Sequence, residues 1–101
     1  MTQSTLLGID VGTSSIKVVA VSPEGKLLAV ASSPMTVAVA KPGWSEQQPE
    51  EWWNGTCSAI RETISKIDSP EVLGVGLSGQ MHSLVSLDRD RQVVRPAILW
   101  N

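Results

Sequence analysis

The sequence predicts a mixed α/β fold, in which an antiparallel meander of three strands is followed by a crossover helix and a parallel strand. Three observations support this prediction. Apolar runs separated by tight turns occupy residues 5–35, apolar residues recur at steps of four and three between Trp53 and Ile67, and residues 72–77 are almost continuously apolar. A strand, a long helix and another strand form a parallel connection, because parallel neighbours need such a crossover between them.

Turn residues separate the first three strands, which are predicted over residues 5–11, 15–21 and 27–35. The second turn contains Pro23 and Gly25. Proline presets its own φ angle and glycine supplies a permissive position, so this segment suits a tight reversal of the chain.

A loop over residues 36–48 leads to a helix that is expected to begin near Pro49 and to end at residues 68–70. Proline suits the first helical turn because its missing N–H would have no partner there. The apolar stripe that should face the core consists of Trp53, Cys57, Ile60, Ile64 and Ile67. Cys57 is interpreted as a packing residue, since a cysteine within such a stripe usually behaves as a small hydrophobe.

The strand over residues 72–77 is predicted to be buried on both faces, like a central parallel strand, because it is apolar almost throughout. Residues 83–88 alternate again, and after a charged turn at 88–91 the chain can return over residues 93–100 as an antiparallel partner. Pro96 restricts that last strand to an edge or a bulge, because proline donates no ladder hydrogen bond.

Composition and charge narrow the classes of function. The 101 residues suit one domain or a piece of one, and the net charge of −2 offers no basic surface for nucleic acid. A single cysteine excludes an internal disulfide and fits a reducing compartment. No apolar run approaches the roughly 20 residues that span a bilayer, and no basic segment typical of a signal peptide precedes the first one. We therefore expect a soluble, cytoplasmic protein that binds neither nucleic acid nor a membrane.

The turn between the first two strands carries the first candidate site. The apolar run before it would bring Asp10 to the edge of a sheet, where a carboxylate can meet a hydrated metal ion. Gly12 lacks a Cβ, which lets the backbone bend and a bulky anion approach. The N–H groups and hydroxyls of Thr13, Ser14 and Ser15 can then donate to phosphate oxygens. The same residues also suit an ordinary hairpin connection, so a plain turn stays open as the alternative.

The second candidate site is the segment 78–82, which follows the apolar strand directly. Ligands of open α/β sheets bind outside the carboxyl ends of parallel strands, so this loop and Asp10 should share one edge. Gln80 and His82 each offer a donor and an acceptor for a sugar hydroxyl, and Met81 an adaptable apolar contact. The alternative is an ordinary loop histidine beside a gap-filling methionine, and the spacing does not indicate metal ligation.

Four segments resemble segments of the FGGY carbohydrate kinases and occur in the same order as in that family. Within the family, they are most similar to those of the pentulose kinase branch. They are Gly8-Ile9-Asp10-Val11-Gly12-Thr13-Ser14-Ser15-Ile16-Lys17, Gly43-Trp44-Ser45-Glu46-Gln47 leading into Pro49-Glu50-Glu51-Trp52-Trp53, Ser78-Gly79-Gln80-Met81-His82, and Arg95-Pro96-Ala97-Ile98-Leu99-Trp100-Asn101. The first segment is shared with many actin-like ATPases, whereas its combination with the second and third is more specific. The resemblance covers nearly the whole chain from Leu6 onward.

The resemblance implies a ribonuclease H-like (actin-like ATPase) domain, with ATP bound between two such domains and a ketopentose, expected to be D-xylulose, as the phosphoryl acceptor. By this likeness Asp10 helps to hold Mg²⁺ through water. The phosphates of ATP would contact Gly12, Thr13, Ser14, Ser15 and, on the far strand, Lys17. The sugar pocket would be lined by Gln80, Met81 and His82, with Trp100 and Asn101 close by.

The family kinases are several times longer than this chain. The aspartate that normally follows Trp100-Asn101, the general-base aspartate, the adenine site and the second domain are not among its residues. We therefore expect residues 1–101 to be an N-terminal fragment of the first domain, inactive alone and prone to self-association through an unpaired sheet edge and an apolar face.

Three alternatives stay open at this point. The parent protein could be an actin-like ATPase that acts as a switch or an enzyme activator, which would need only the first motif. It could also be an FGGY kinase for ribulose, gluconate or glycerol, because related kinases use similar loops. A free-standing binding module would instead be a stable monomer that binds a ligand alone.

Overall fold

A computed structural model describes the whole chain, from Met1 to Asn101. Its elements follow in the order β1 (Gln3–Val11), β2 (Ser15–Val21), β3 (Leu27–Pro34), β4 (Glu46–Gln47), α1 (Pro49–Ser65), β5 (Pro70–Gly79) and β6 (Ala97–Ile98). The main sheet has the order β3-β2-β1-β5, with β1 antiparallel to β2 and parallel to β5. The predicted meander and the predicted parallel strand are therefore confirmed. Helix α1 lacks the length and apolar character needed to cross a membrane.

The core lies between the main sheet and α1. Side chains alternate between the two faces of a strand, and on the helix side of β2 both Ile16 and Val18 are completely buried. The buried residues of α1 are Gly55, Ala59 and Thr63, which succeed one another at steps of four. Such spacing places them on one face of the helix, so small residues form the line of closest contact with the sheet.

The apolar stripe of α1 is less buried than its spacing predicts. Trp53 is 68% exposed, so the prediction of burial is wrong there. The partly buried members of the stripe are Cys57, Ile60, Ile64 and Ile67. The physical reason is the close approach of the helix along its small residues: a Cβ on Gly55 would lie 2.8 Å from Cδ1 of Ile16. The larger side chains therefore flank the contact line rather than form it.

Strand β5 is an edge strand, and the prediction that it is buried on both faces is wrong. The exposed fractions of Leu73, Val75 and Leu77 are 55%, 56% and 77%. Helix α1 packs mainly against β2 and β3, so it leaves the apolar side chains of β5 uncovered. An apolar sequence shows that a strand can be buried, but burial also needs a covering element.

A second, two-stranded sheet joins β4, which lies in the predicted loop, to β6, which lies within the predicted last strand. β4 and β6 are antiparallel, with Glu46 opposite Ile98 and Gln47 opposite Ala97. Each strand has two residues, which is too short for a period of two to show in the sequence. The prediction that residues 36–48 form a loop throughout is therefore wrong at β4, because a pairing between distant segments decides the structure there.

The charged turn at residues 88–91 is confirmed. The carboxylate of Asp88 accepts hydrogen bonds from the backbone N–H groups of Asp90 and Gln92, at 2.8 and 2.9 Å. The flanking segments meet only at isolated bridges, Leu84–Ile98 and Leu87–Val93. The predicted antiparallel return is thus reduced to these contacts, and the last strand pairs with β4 instead.

Candidate functional site

One cleft joins the two segments that the sequence singles out. It has a volume of about 420 Å³ and is lined by Asp10, Gly12, Thr13, Gly79, Gln80, Met81, His82 and Trp100. Asp10 pairs with Ser78, and Val11 with Gly79, in the parallel ladder of β1 and β5. The carboxyl ends of both strands therefore emerge at the same edge of the sheet, and the predicted shared cleft is confirmed as geometry.

The tip of the β1–β2 hairpin is tight and presents its backbone to the cleft. The N–H of Gly12 donates to the carbonyl of Ser15 at 3.0 Å. A Cβ on Gly12 would lie 2.9 Å from that same carbonyl oxygen, so only glycine fits without a shift of the backbone. The backbone N–H groups of Thr13 and Ser14 donate to no protein acceptor. Two adjacent N–H groups of this kind suit an oxygen of an anion.

Asp10 lies near the end of β1 with its side chain exposed, and no other carboxylate lines the cleft. The chain has no cluster of three or more histidine, cysteine or acidic side chains that could hold a metal ion by themselves. Mg²⁺ is usually held by one or two carboxylates together with phosphate oxygens and water. Asp10, beside a hairpin whose backbone N–H groups have no protein acceptor, therefore fits Mg²⁺ that arrives with a phosphate ligand.

Lys17 belongs to a second cleft, on the face of the sheet opposite α1. This cleft has a volume of about 330 Å³, and Asp10, Lys17, Gly76 and Ser78 are among its lining residues. Asp10 lines both clefts, so they meet at this residue. Lys17 thus stands beside the hairpin tip rather than within the first cleft.

The loop after β5 carries the other wall of the first cleft. Gln80 donates its backbone N–H to the carbonyl of Val11 at 2.9 Å, which anchors the loop to the end of β1. His82 has a φ of 63°, in the left-handed region that is unfavourable for a residue with a Cβ. Met81 is 67% exposed in the cleft wall. Arg91, which lies outside the cleft, has a φ of 64°, so this backbone conformation does not by itself indicate a ligand site.

Other candidate residues are distributed unevenly. Trp100 lines the cleft, and its indole Nε1 lies 3.4 Å from the hydroxyl of Thr13. Ser14 and Ser15 belong to the hairpin but are not among the residues that line the cleft. Asn101 is exposed and also lies outside the lining.

Gln47 is a cleft-supporting residue that pattern reasoning missed. It is 2% exposed, and its side-chain N–H donates to the carbonyl of Thr13 at 2.6 Å. Its side-chain oxygen accepts from the indole of Trp52 at 2.9 Å and from the amide of Gln80 at 3.1 Å. The only signal in the sequence is the place of Gln47 in a segment that carries the family resemblance.

A separate group of charged and aromatic side chains fixes the segment before β4. Arg95 forms an ion pair with Glu46, and its guanidinium lies 5.9 Å from the ring centre of Trp44. Lys41 lies over the same ring at 4.8 Å. Glu46 is nearly buried, so the ion pair ties β4 to the segment that leads into β6. This group supports the position of Gln47 from outside the cleft.

Residues 5–101 match the N-terminal domain of the FGGY family of carbohydrate kinases. The chain belongs to this family. It is 46% identical over 98 residues to the xylulose kinase of Bacillus subtilis (strain 168), and the match covers 95% of the chain. Ligand-bound xylulose kinase and gluconate kinase, both from Lactobacillus acidophilus, each superpose on 96% of this FGGY chain with a TM-score of 0.91 and 30% identity.

The match extends to only part of these FGGY relatives. The chain spans about a fifth of their length, 20% of the Bacillus subtilis enzyme and 20% of each Lactobacillus acidophilus structure. Its mixed sheet and helix correspond to part of the actin-like ATPase fold of these sugar kinases. The equal superposition on a xylulose kinase and a gluconate kinase means that the backbone alone does not distinguish the sugar.

Proposed function

We propose that residues 1–101 are the N-terminal part of the first actin-like ATPase domain of a sugar kinase. The whole protein would transfer the γ-phosphate of ATP to a hydroxyl of a ketopentose, D-xylulose. The observation that carries this proposal is the single cleft of about 420 Å³ that has Asp10 on one wall and His82 on the other. Phosphoryl transfer depends on holding donor, metal and acceptor together, and a cleft with one polar wall for each partner suits that task.

The hairpin wall would bind the phosphates of ATP. The backbone N–H groups of Thr13 and Ser14 donate to no protein acceptor. They can therefore donate to phosphate oxygens without breaking an existing hydrogen bond. Asp10 would orient the metal ion, through water, beside them. Mg²⁺ supplies charge neutralisation of the transferring phosphoryl group when it is bound. We also assign Gly12 and Ser15 to this wall, as the residues that shape the turn, and Lys17 as a cation beside it.

The loop wall would bind the sugar. The imidazole of His82 and the amide of Gln80 can each donate to and accept from sugar hydroxyls, and Met81 can contact the carbon skeleton. Trp100 would close one end of the cleft, where its indole lies against Thr13. Asn101, which is exposed just beyond Trp100, would reach the sugar only in the larger protein.

The general base is proposed to come from outside these residues. Asp10 is the only carboxylate in the cleft, and it is assigned to the metal. A sugar hydroxyl needs a second carboxylate to accept its proton during phosphoryl transfer. We therefore propose that residues 1–101 alone do not phosphorylate sugar. The chain spans only 20% of the length of the Bacillus subtilis relative. This share supports a site whose general base belongs to another part of the whole protein.

D-Xylulose is the proposed substrate because the chain is 46% identical to a protein named xylulose kinase. Gluconate is the second candidate, since a gluconate kinase superposes equally well; ribulose and glycerol are further alternatives. An ATP-driven switch without sugar chemistry would leave the loop wall of the cleft without a role. We propose a cytoplasmic location, in keeping with the free thiol of Cys57 and the need for ATP.

The test is a sugar panel on the full-length protein. ADP formation is measured with D-xylulose, D-ribulose, gluconate and glycerol, in the presence of Mg²⁺. We expect D-xylulose to give the highest kcat/KM. A preference for another sugar would reassign the substrate within the family, and ATP hydrolysis that no sugar stimulates would favour the switch.

Two variants with matched controls assign the walls. Asp10→Asn is expected to lower kcat about 100-fold or more, since the charge that orients the metal is lost. His82→Ala is expected to raise the KM for the sugar more than that for ATP. Asp68→Asn and Arg91→Ala are the controls, because Asp68 is an exposed acid away from the cleft and Arg91 has a similar left-handed φ of 64°. Wild-type turnover in both site variants would remove these residues from the site.

A further inference from the structure

The amide of Gln47 has only one chemically permitted orientation. Its oxygen faces the indole N–H of Trp52 at 2.9 Å, and its NH₂ group faces the carbonyl of Thr13 at 2.6 Å. An indole N–H only donates and a carbonyl oxygen only accepts, so a flipped amide would lose both hydrogen bonds. The buried side chain is thus locked between the start of α1 and the tip of the β1–β2 hairpin.

This orientation extends to the opposite wall of the cleft. The amide of Gln80 donates to the oxygen of Gln47 at 3.1 Å, so the oxygen of Gln80 must point toward the hydroxyl of Thr13. That hydroxyl donates to it at 3.3 Å. Gln47 therefore touches the hairpin wall through Thr13 and the loop wall through Gln80, and the two walls also contact each other.

We propose that Gln47 is a positioning residue, whose buried amide fixes the phosphate-binding hairpin and the sugar-binding loop relative to each other. This inference rests on the proposed function, because it assigns the two walls to the two substrates. Gln47 lies outside the cleft lining, yet the binding of both substrates would depend on it.

The contacts distinguish this role from simple support of the fold. The backbone of Gln47 is already held by its pairing with Ala97. An apolar side chain would suit a position that is 2% exposed, whereas an amide there needs partners for its donor and its acceptor. Two of the partners it has belong to the cleft walls, and the third, Trp52, orients the amide toward them.

The arrangement also specifies how Thr13 binds phosphate. A hydroxyl carries one proton, and that of Thr13 is committed to Gln80. A phosphate that took this proton would break the direct hydrogen bond between Thr13 and Gln80. The structure therefore assigns phosphate contact to the backbone N–H of Thr13, which lines the cleft and donates to no protein acceptor, and the side chain of Thr13 to the link between the walls.

The test compares Gln47→Met with Gln48→Met in the full-length kinase. Methionine has a similar size and makes neither set of hydrogen bonds, while Gln48 is the exposed neighbour whose side chain caps nothing. For Gln47→Met we expect the KM values for MgATP and for the sugar each to rise about tenfold, the effect of about one lost hydrogen bond per wall. For Gln48→Met we expect wild-type values. A fold defect alone would lower the active fraction and kcat with unchanged KM values.

A second variant separates the two walls. In Gln47→Glu, one carboxylate oxygen still accepts hydrogen bonds from Trp52 and Gln80. The other carboxylate oxygen faces the carbonyl oxygen of Thr13 and repels it, because neither atom carries a proton. We expect the KM for MgATP to rise about tenfold, while the KM for the sugar stays within about twofold. Equal KM values in Gln47→Met and Gln48→Met, or an equal rise of both KM values in Gln47→Glu, would overturn the inference.

Amide hydrogen exchange gives a readout that needs no turnover. We expect faster exchange at both segments 12–14 and 80–83 in Gln47→Met than in Gln48→Met. Unchanged exchange at either segment would contradict the positioning role. If wild-type protein phosphorylates no sugar, the proposed function fails, and the exchange result still decides whether Gln47 holds the two walls.

Discussion

Asp10 lies directly opposite Lys17 in the antiparallel ladder of β1 and β2. Directly opposed residues project from the same face of a sheet, so a carboxylate and an ammonium group stand side by side next to the hairpin tip. They form no ion pair: the chain's ion pair is the one between Arg95 and Glu46. Both charges at the hairpin are thus available to a ligand, one for a cation and one for an anion.

Replacement of Lys17 should weaken nucleotide binding in the full-length kinase. Lys17→Met removes a cation that can pair with a phosphate, and hydrogen bonds to charged groups contribute about 1.5–3 kcal/mol. We expect the KM for MgATP to rise about 10- to 100-fold, with a smaller change for the sugar. Lys26→Met, at an exposed turn away from the cleft, is the matched control. An unchanged KM for MgATP in Lys17→Met would show that the ammonium does not meet the phosphates.

A methyl group at Gly12 should distort the hairpin tip. The Cβ in Gly12→Ala would lie 2.9 Å from the backbone oxygen of Ser15, which cannot move without moving the turn. We expect a loss of about 1–3 kcal/mol in the free energy of unfolding and a higher KM for MgATP. In Gly74→Ala the nearest atom is Cδ2 of Leu6, at an ordinary contact distance of 3.5 Å, so this control should bind ATP normally. Equal behaviour of the two variants would rule out the tight turn as the reason for glycine.

A larger residue on the contact line of α1 should lower stability. Ala59 is 1% exposed against the sheet, and Ala59→Leu would overpack that contact at a cost of about 1–3 kcal/mol. Urea unfolding of the 101-residue chain, followed by tryptophan fluorescence at low protein concentration, measures the loss. Ser58→Leu introduces the same side chain at the adjacent exposed position and should change stability by less than about 0.5 kcal/mol. A smaller loss for Ala59→Leu than for Ser58→Leu would contradict the packing of the helix.

The 101-residue chain should self-associate through the uncovered edge formed by β5. Leu77 is 77% exposed on this strand, and an unpaired strand with apolar side chains pairs readily with another chain. We expect light scattering to show a mass above that of a monomer, and Leu77→Lys to reduce it. Val39→Lys changes an exposed valine that lies outside the named strands and should leave the mass unchanged. A wild-type chain that stays monomeric at every concentration would refute this prediction.

Local patterns were sufficient for much of the fold and of the cleft. Alternation and turn residues predict the hairpin around Gly12, and the apolar run after α1 predicts a strand parallel to β1. Those two predictions place Asp10 and Gln80 at one sheet edge, because parallel strands end on the same side. The cleft follows from connectivity and strand direction, which neighbouring residues encode.

Gln47 and Leu77 mark the limit of such patterns. Nothing in the residues around Gln47 indicates that its amide spans the two walls, because both partners in the walls are more than thirty positions away in the chain. The run that contains Leu77 indicates a strand, but whether its faces are covered depends on where α1 packs.

The amino-acid order by itself thus determined the four strands of the main sheet, the helix, the parallel connection and the placement of Asp10 and His82 around one cleft. Only the tertiary structure decided that β5 is an edge strand, that β4 pairs with β6, and that a buried glutamine joins the cleft walls. The physical reason is the separation along the chain over which each effect acts. Backbone preference and periodicity act between neighbours in sequence, whereas burial and hydrogen-bond partners are set by segments that meet only after folding.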